Sequence, residues 1–174
     1  MPSANKNDAK IRVGSRGSAL ALAQDEEVLA PLRRYYPDLD FKIVTVRTSG
    51  DANQSAPLAG MGLGVFVKEL EQELLNGHLD MAVHSLKDMP TKLPDGLILG
   101  AILSRKDARD VLVNRWNCTL DELPEGARIG TSSPRRTAQL IKNAPQVSVV
   151  PIRGNVETRL RKAQGEETDG AVLA

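Results

Sequence analysis

The chain has 174 residues, with 23 basic and 22 acidic side chains and a formal net charge of +1. That balance argues against a nucleic-acid binder that relies on bulk charge and against an acidic disordered tail. Hydrophobic residues make up 41% and aromatic residues 3%, so the core is built from Leu, Val, Ile and Ala, with few platforms on which single-stranded nucleic acid could stack. One cysteine, Cys118, leaves no internal disulfide framework and fits a reducing compartment, and with only two histidines a metal site is not expected. No run of about 18 apolar residues is long enough to span a membrane. Residues 1–10 are polar, lack a signal-peptide core and read as a disordered lead-in. The expected protein is cytoplasmic and α/β.

In chain order, Ile11, Val13 and Ser15 alternate with Arg12 and Gly14 and predict a short strand. Ser18 is the predicted N-cap of a helix from Ala19 toward Tyr36, which Pro31 should kink or split. Phe41 to Thr48 reads as a strand. Residues 49–64 hold four glycines and a proline and read as a loop. Phe66, Leu70 and Leu74 form the apolar stripe of a helix from Val65 to Asn76, stopped by Gly77. Asp80 to His84 and Leu97 to Leu103 read as strands.

A second unit begins near Ser104. Asp110 to Asn114 reads as a strand, and Thr119 with Glu122 forms a capping box. A strand over Arg128 to Thr131 leads into a helix capped by Ser132 or Ser133, with Pro134 in its first turn. Val147 to Pro151 is a strand, Asn155 caps a helix to about Gln164, and Gly170 to Leu173 is a last strand. An apolar strand at that point either pairs within a sheet or belongs to a fragment. The alternation implies parallel strands with helical crossovers, in two lobes of 11–103 and 104–174 with a cleft between them. The sequence shows no internal repeat and no low-complexity tract.

Two constellations point to chemistry. The segment HSLKDMP (84–90) follows a predicted buried strand, the position at which open α/β sheets bind ligands. Asp88 there is suited to accept N–H bonds and to stabilise a developing cation, beside the opposite charge of Lys87; the plain alternative is a surface turn with a local ion pair. Arg16, Arg135, Arg136 and Arg153 lie at strand ends or helix starts, with Arg159 in the following helix. Cations disfavour a helix N-terminus, so Arg135 and Arg136 suggest an anion to bind, and arginine forks suit carboxylates; solvated helix starts are the alternative. GMGLG lacks the Gly-Lys-Ser/Thr ending of a phosphate loop and reads instead as a lid or hinge. His84 reads as a hydrogen-bonded strand residue, His78 as a surface residue at a helix end and Cys118 as a partly packed thiol.

Taken together, IRVGSRGSALALAQ (11–24), GVFVKELEQELLNGHLDMAVHSLKDMP (64–90), GTSSPRR (130–136) and RGNVETRL (153–160) resemble the porphobilinogen deaminase (hydroxymethylbilane synthase) family from about Lys10 to Ala174. The resemblance implies two lobes similar to periplasmic binding proteins, with the active site in the cleft. It implies transferase activity: four porphobilinogen units are joined into a linear tetrapyrrole with release of ammonia, primed by a dipyrromethane cofactor. Asp88 is implied as the catalytic carboxylate. Arg16, Ser18, Gln24, Arg153 and Arg159 are implied at the substrate site. Ser85, Lys87, Thr131, Ser132, Ser133, Arg135, Arg136 and Phe66 are implied at the cofactor. Residues 49–64 match the family's flexible active-site loop, and a monomer is implied.

The sequence also departs from the family pattern. Members continue into a third domain, where a cysteine forms the thioether to the cofactor. Cys118 is not at that position, so attachment of that kind is not expected within these residues, and the second lobe is expected to be incomplete. Pro134 stands where relatives carry an apolar residue. The expected partners are porphobilinogen and the growing polypyrrole, without nucleic acid or membrane. The alternative reading is a non-catalytic module that binds a small anion or a carboxylated pyrrole.

Overall fold

The computed structural model describes residues 10–47 and 67–174. The readings for residues 1–9, for the loop 49–64 and for Phe66 lie outside the described residues. The chain divides into two compact units, 1–103 and 104–174.

Unit 1 contains β1 (Lys10–Ser15), α1 (Ala19–Tyr35), β2 (Asp40–Thr45), α2 (Lys68–Leu75) and β3 (Met81–Ala82). The three strands are parallel in the order β2-β1-β3, with Val13 of β1 level with Ile43 on one side and Met81 on the other. Helix α1 starts where Ser18 accepts a hydrogen bond from the Ala21 amide at 3.2 Å, which satisfies one of the donors a helix start leaves open. Pro31 neither splits nor ends it. The proline is exposed between buried Leu29 and half-buried Leu32, so packing retains a segment that lacks one backbone donor. Among the described residues, Val13, Leu29, Val67, Leu70 and Leu79 are the buried apolar residues of this unit.

Two expected strands are corrected. Asp80 to His84 shrinks to the two residues of β3, and Leu97 to Leu103 forms no strand. No described strand pairs with 97–103, and Ile98 is 88% exposed. Apolar composition favours burial, but a strand needs a neighbour to complete its hydrogen-bond ladder.

Unit 2 contains β4 (Val111–Asn114), a 3₁₀ turn (Leu120–Glu122), β5 (Arg128–Gly130), α3 (Pro134–Asn143), β6 (Ser148–Val150), α4 (Val156–Lys162) and β7 (Gly170–Leu173). The strand order is β4-β7-β5-β6. Strand β7 lies inside the sheet with all four residues buried, and it runs antiparallel to β4 and parallel to β5. The expectation of parallel strands throughout therefore fails at β4. Thr119 and Glu122 form the expected capping box, on a 3₁₀ turn. Of the two candidate serines Ser133 caps α3, accepting from the Arg136 amide at 3.4 Å.

Both units are locked by the same device. In unit 1, Asp80 precedes β3 and accepts from Arg12 of β1: the backbone amide at 2.7 Å, Nε at 2.9 Å and Nη2 at 2.7 Å. In unit 2, Asp169 precedes β7 and accepts from the same three groups of Arg128 of β5 at 2.9, 3.1 and 3.1 Å. In each case the aspartate amide donates back to the arginine carbonyl. A glycine follows two residues after each arginine. A Cβ on Gly14 would come within 2.4 Å of Leu79, and one on Gly130 within 2.9 Å of Ile152. The two partners of the grip are 68 residues apart in one unit and 41 in the other.

Candidate functional site

The candidate residues occupy two places, one on each unit. In unit 1, β1 ends at Ser15 and the chain turns through Arg16 and Gly17 into the Ser18 cap. Gly17 has φ of +75°, a conformation that L side chains rarely adopt. Beside β1, β3 leads into His84, Ser85 and a 3₁₀ turn over Leu86–Asp88. Gly14 is level with Ala82, so the same register carried two residues further sets Arg16 and His84 at neighbouring strand ends.

This strand end is tied to α1 by Gln24, whose Nε2 donates to Ser85 Oγ at 2.8 Å. The turn is closed by the Asp88 amide donating to the Ser85 carbonyl at 2.9 Å. Asp88 is half-buried and Lys87 exposed. Burial is the main cause that holds His84 below the ordinary imidazole pKa; Arg16 adds to it and Asp88 opposes it. The imidazole is therefore neutral at neutral pH, and it lies in the fields of both the cation and the carboxylate. The sequence reading treated His84 as a strand residue; it stands in the loop beyond β3.

Asp25 was also missed. It is 1% exposed on the inner face of α1, and neither carboxylate oxygen has a hydrogen-bond partner of normal geometry. Desolvation raises its pKa, with the Ser15 hydroxyl acting weakly the other way. A signal was present, because Asp25 falls four residues before Leu29 on the stripe a helix buries.

In unit 2, Gly130 opens the turn 131–133. The Thr131 amide donates to the Val150 carbonyl, and Thr131 Oγ1 accepts from the Ser133 amide at 3.2 Å. Ser132 Oγ donates to the Ile152 carbonyl at 2.7 Å and accepts from the Ile152 amide at 3.2 Å. The Thr131 amide and the Ser132 hydroxyl thus hold the turn against the end of β6, and the Thr131 hydroxyl closes the turn itself. Beyond β6, Arg153 leads into Gly154, with φ of +112°, and into the Asn155 cap of α4. Arg159 reaches back, its Nε donating to the Gly154 carbonyl at 2.8 Å.

Arg159 is held below the ordinary arginine pKa by burial first, then by repulsion from Arg136 and Arg153. Three guanidinium groups therefore share one neighbourhood. Among the described residues Arg153 has no carboxylate partner. Arg135 and Arg136 do have one: Asp110, the residue before β4, accepts from both. Nothing in the sequence marked Asp110, which reads only as the first residue of a strand; the strand starts one residue later.

A groove of about 400 Å³ between α2 and the loop 90–95, lined by Lys68, Glu71, Lys92 and Asp95 among others, contains none of the predicted site residues. Cys118 is half-buried and packs against the cluster of Leu123, Ile129 and Leu140. Among the described residues no group of His, Cys, Asp and Glu could hold a metal ion, and no helix is long and apolar enough to cross a membrane.

The family model that matches this chain, over residues 11–174, is described as porphobilinogen deaminase, dipyromethane cofactor binding domain. A porphobilinogen deaminase of Limosilactobacillus reuteri is 52% identical over 167 residues, covering 95% of this chain and 55% of the relative. One of Desulforamulus reducens is 50% identical over 166 residues (95% and 54%), and one of Syntrophus aciditrophicus is 47% identical over 165 residues (94% and 54%). The chain spans about half the length of the curated relatives it matches. Among solved structures, the periplasmic domain of BvgS from B. pertussis is similar at 21% identity and a TM-score of 0.41, covering 95% of this chain and 30% of that one. That score is below the level at which a common fold follows.

Proposed function

The chain belongs to the porphobilinogen deaminase family, and on that premise we propose that it carries the catalytic carboxylate and the arginine cradle of a hydroxymethylbilane synthase. Such an enzyme joins four porphobilinogen units into a linear tetrapyrrole and releases ammonia at each addition. The observation that carries the reading is half-buried Arg159, held on the Gly154 carbonyl at 2.8 Å, next to Arg153, which has no carboxylate partner among the described residues; Arg136 and Arg153 add like charge to its surroundings. Like charges gathered at a partly buried place favour an anionic ligand. Porphobilinogen offers acetate and propionate groups, and an arginine fork matches a carboxylate at two points.

The same donor set fits the dipyrromethane cofactor. Arg153 has no carboxylate partner among the described residues, Arg159 uses one N–H on Gly154, and Arg135 uses one on Asp110. We assign Arg135 and Arg136, with Lys87, Ser85, Thr131 and Ser133, to the cofactor, and Arg16, Gln24, Arg153 and Arg159 to the substrate. When bound, dipyrromethane supplies the primer onto which the chain is extended. Ser132 and Ser18 build the turns beside the arginines, because the Ser132 hydroxyl is bonded to Ile152 and the Ser18 hydroxyl to the start of α1.

Asp88 accepts the pyrrole N–H and stabilises the electron-poor azafulvene cation left when ammonia departs, because a fixed carboxylate acts most strongly where water is excluded. It also assists proton movement at the reacting carbon. Arg16 takes a substrate carboxylate. Neutral His84 adds no positive charge where a cation develops. The enzyme works as a cytoplasmic monomer.

Ammonia release from porphobilinogen, measured with the purified 174-residue chain, tests the reading. Release that falls about 10²–10³-fold in Asp88→Asn supports it. Saturable calorimetric binding without ammonia supports the second reading, a module that binds carboxylated pyrroles. Absence of both binding and release overturns the two together.

A further inference from the structure

Arg135 and Arg136 put two cations at the start of α3, where free N–H groups already carry partial positive charge. Asp110 offsets them with one carboxylate. Its Oδ2 accepts from Arg135 Nη2 at 3.1 Å and from Arg136 Nε at 3.0 Å, and its Oδ1 accepts from Arg136 Nη2 at 2.8 Å. Arg136 Nη1 also donates to the Val172 carbonyl of β7 at 3.3 Å. All three nitrogens of Arg136 are thus directed into unit 2, and its side chain is 12% exposed. Arg135 gives one nitrogen to Asp110 and is 60% exposed. A guanidinium has five N–H donors in a rigid fork, so most of Arg135's remain for a ligand.

We infer that Asp110 is the positioning residue of the arginine cradle. It locks Arg136 as a fixed wall of positive charge and leaves the unused N–H edge of Arg135 for an incoming carboxylate. The inference rests on the carboxylated-pyrrole reading proposed above. A different role, that of a counter-ion competing with the ligand, predicts the opposite sign. Removal of a competing negative charge tightens anion binding, whereas removal of a positioning group loosens it even though the net charge rises by one.

The test is calorimetry with a dipyrromethane carrying acetate and propionate groups on the full chain as wild type, Asp110→Asn, Asp110→Glu and Arg135→Lys, together with the arginine Nε–H resonances. The expected result is about tenfold weaker binding for Asp110→Asn, about 1.4 kcal/mol, and partial recovery in Asp110→Glu. The Arg136 Nε–H exchanges slowly in the wild type and quickly in Asp110→Asn. The dipyrromethane shifts the Arg135 Nε–H and leaves that of Arg136 in place. Arg135→Lys weakens binding without exposing Arg136, and it keeps the test decisive if Asp110→Asn does not fold. Equal or tighter binding by Asp110→Asn, or a ligand-induced shift as large at Arg136 as at Arg135, overturns the inference. If wild type binds no dipyrromethane, the functional reading fails by itself. Arg136 exchange then decides the role of Asp110: acceleration in Asp110→Asn upholds the lock, and unchanged exchange overturns it.

Discussion

Unit 1 and unit 2 lock their sheets with the same grip, an aspartate ahead of one strand holding the arginine of its neighbour, yet the two grips sit in different surroundings. The Arg12 and Asp80 side chains are 39% and 36% exposed. Arg128 is 42% exposed, but Asp169 is only 13% exposed and has a second cation, Arg115, at 3.3 Å. An ion pair whose aspartate water reaches contributes little, whereas an aspartate closed to water and held by two cations costs more to lose. The inner faces of the two first helices differ in the opposite sense. Leu140 is seven residues past the Ser133 cap and is buried among Leu123, Ile129 and Val172. Asp25 is seven residues past the Ser18 cap, equally buried, and carries a carboxyl group. Unit 2 thus has the drier grip and the apolar helix face, and unit 1 has the wetter grip and a buried acid.

The largest expected effect follows from the drier grip. Asp169→Ala should lower the melting temperature by about 10 °C, with faster amide exchange confined to β5 and β7. An unchanged melting temperature would refute the lock. Asp25→Asn should act in the other direction and raise it by about 6 °C at pH 7, because it removes an ionisable carboxyl from a desolvated place. The folded pKa of Asp25 is raised, so its contribution is most favourable below the unfolded value of about 4 and is lost as pH rises through the folded one. The gain from Asp25→Asn must therefore disappear in melts below about pH 4; a gain that persists there would have another cause.

Asp80→Ala should cost less than half as much as Asp169→Ala, about 4 °C, with faster exchange in β1 and β3. Its pKa is held down to about 2 by Arg12. The stability it supplies is present above about pH 4 and is lost as pH falls toward 2. The difference between wild type and Asp80→Ala should then shrink as pH falls through about 2 and vanish only below it. An effect equal to that of Asp169→Ala would erase the contrast between the grips. The smallest effects belong to the caps. Ser18→Ala and Ser133→Ala should each cost about 0.5–1 kcal/mol in chemical denaturation, and a clear inequality between them would show that the helix starts, too, differ between the units.

Features built from neighbouring residues were legible in the sequence. Ser18, Ser133 and Asn155 cap helices and Thr119 pairs with Glu122, because a side chain and an amide three residues away meet whatever surrounds them. Gly77 follows α2 with φ of +70° for the same local reason. The standing of Asp88 and the arginines at strand ends and helix starts was legible too, since it needs only the order of elements. Tertiary structure decided whatever depends on a distant neighbour. Residues 97–103 have the composition of a strand and no described strand to pair with. Strand β7 runs antiparallel to β4 because register across a sheet is chosen by the neighbour. Asp110 meets Arg135 and Arg136 across 25 and 26 residues, and Asp80 and Asp169 find their arginines across longer gaps. A hydrogen bond within a turn is written in the spacing of the chain; a bond between elements exists only once the fold has closed the distance.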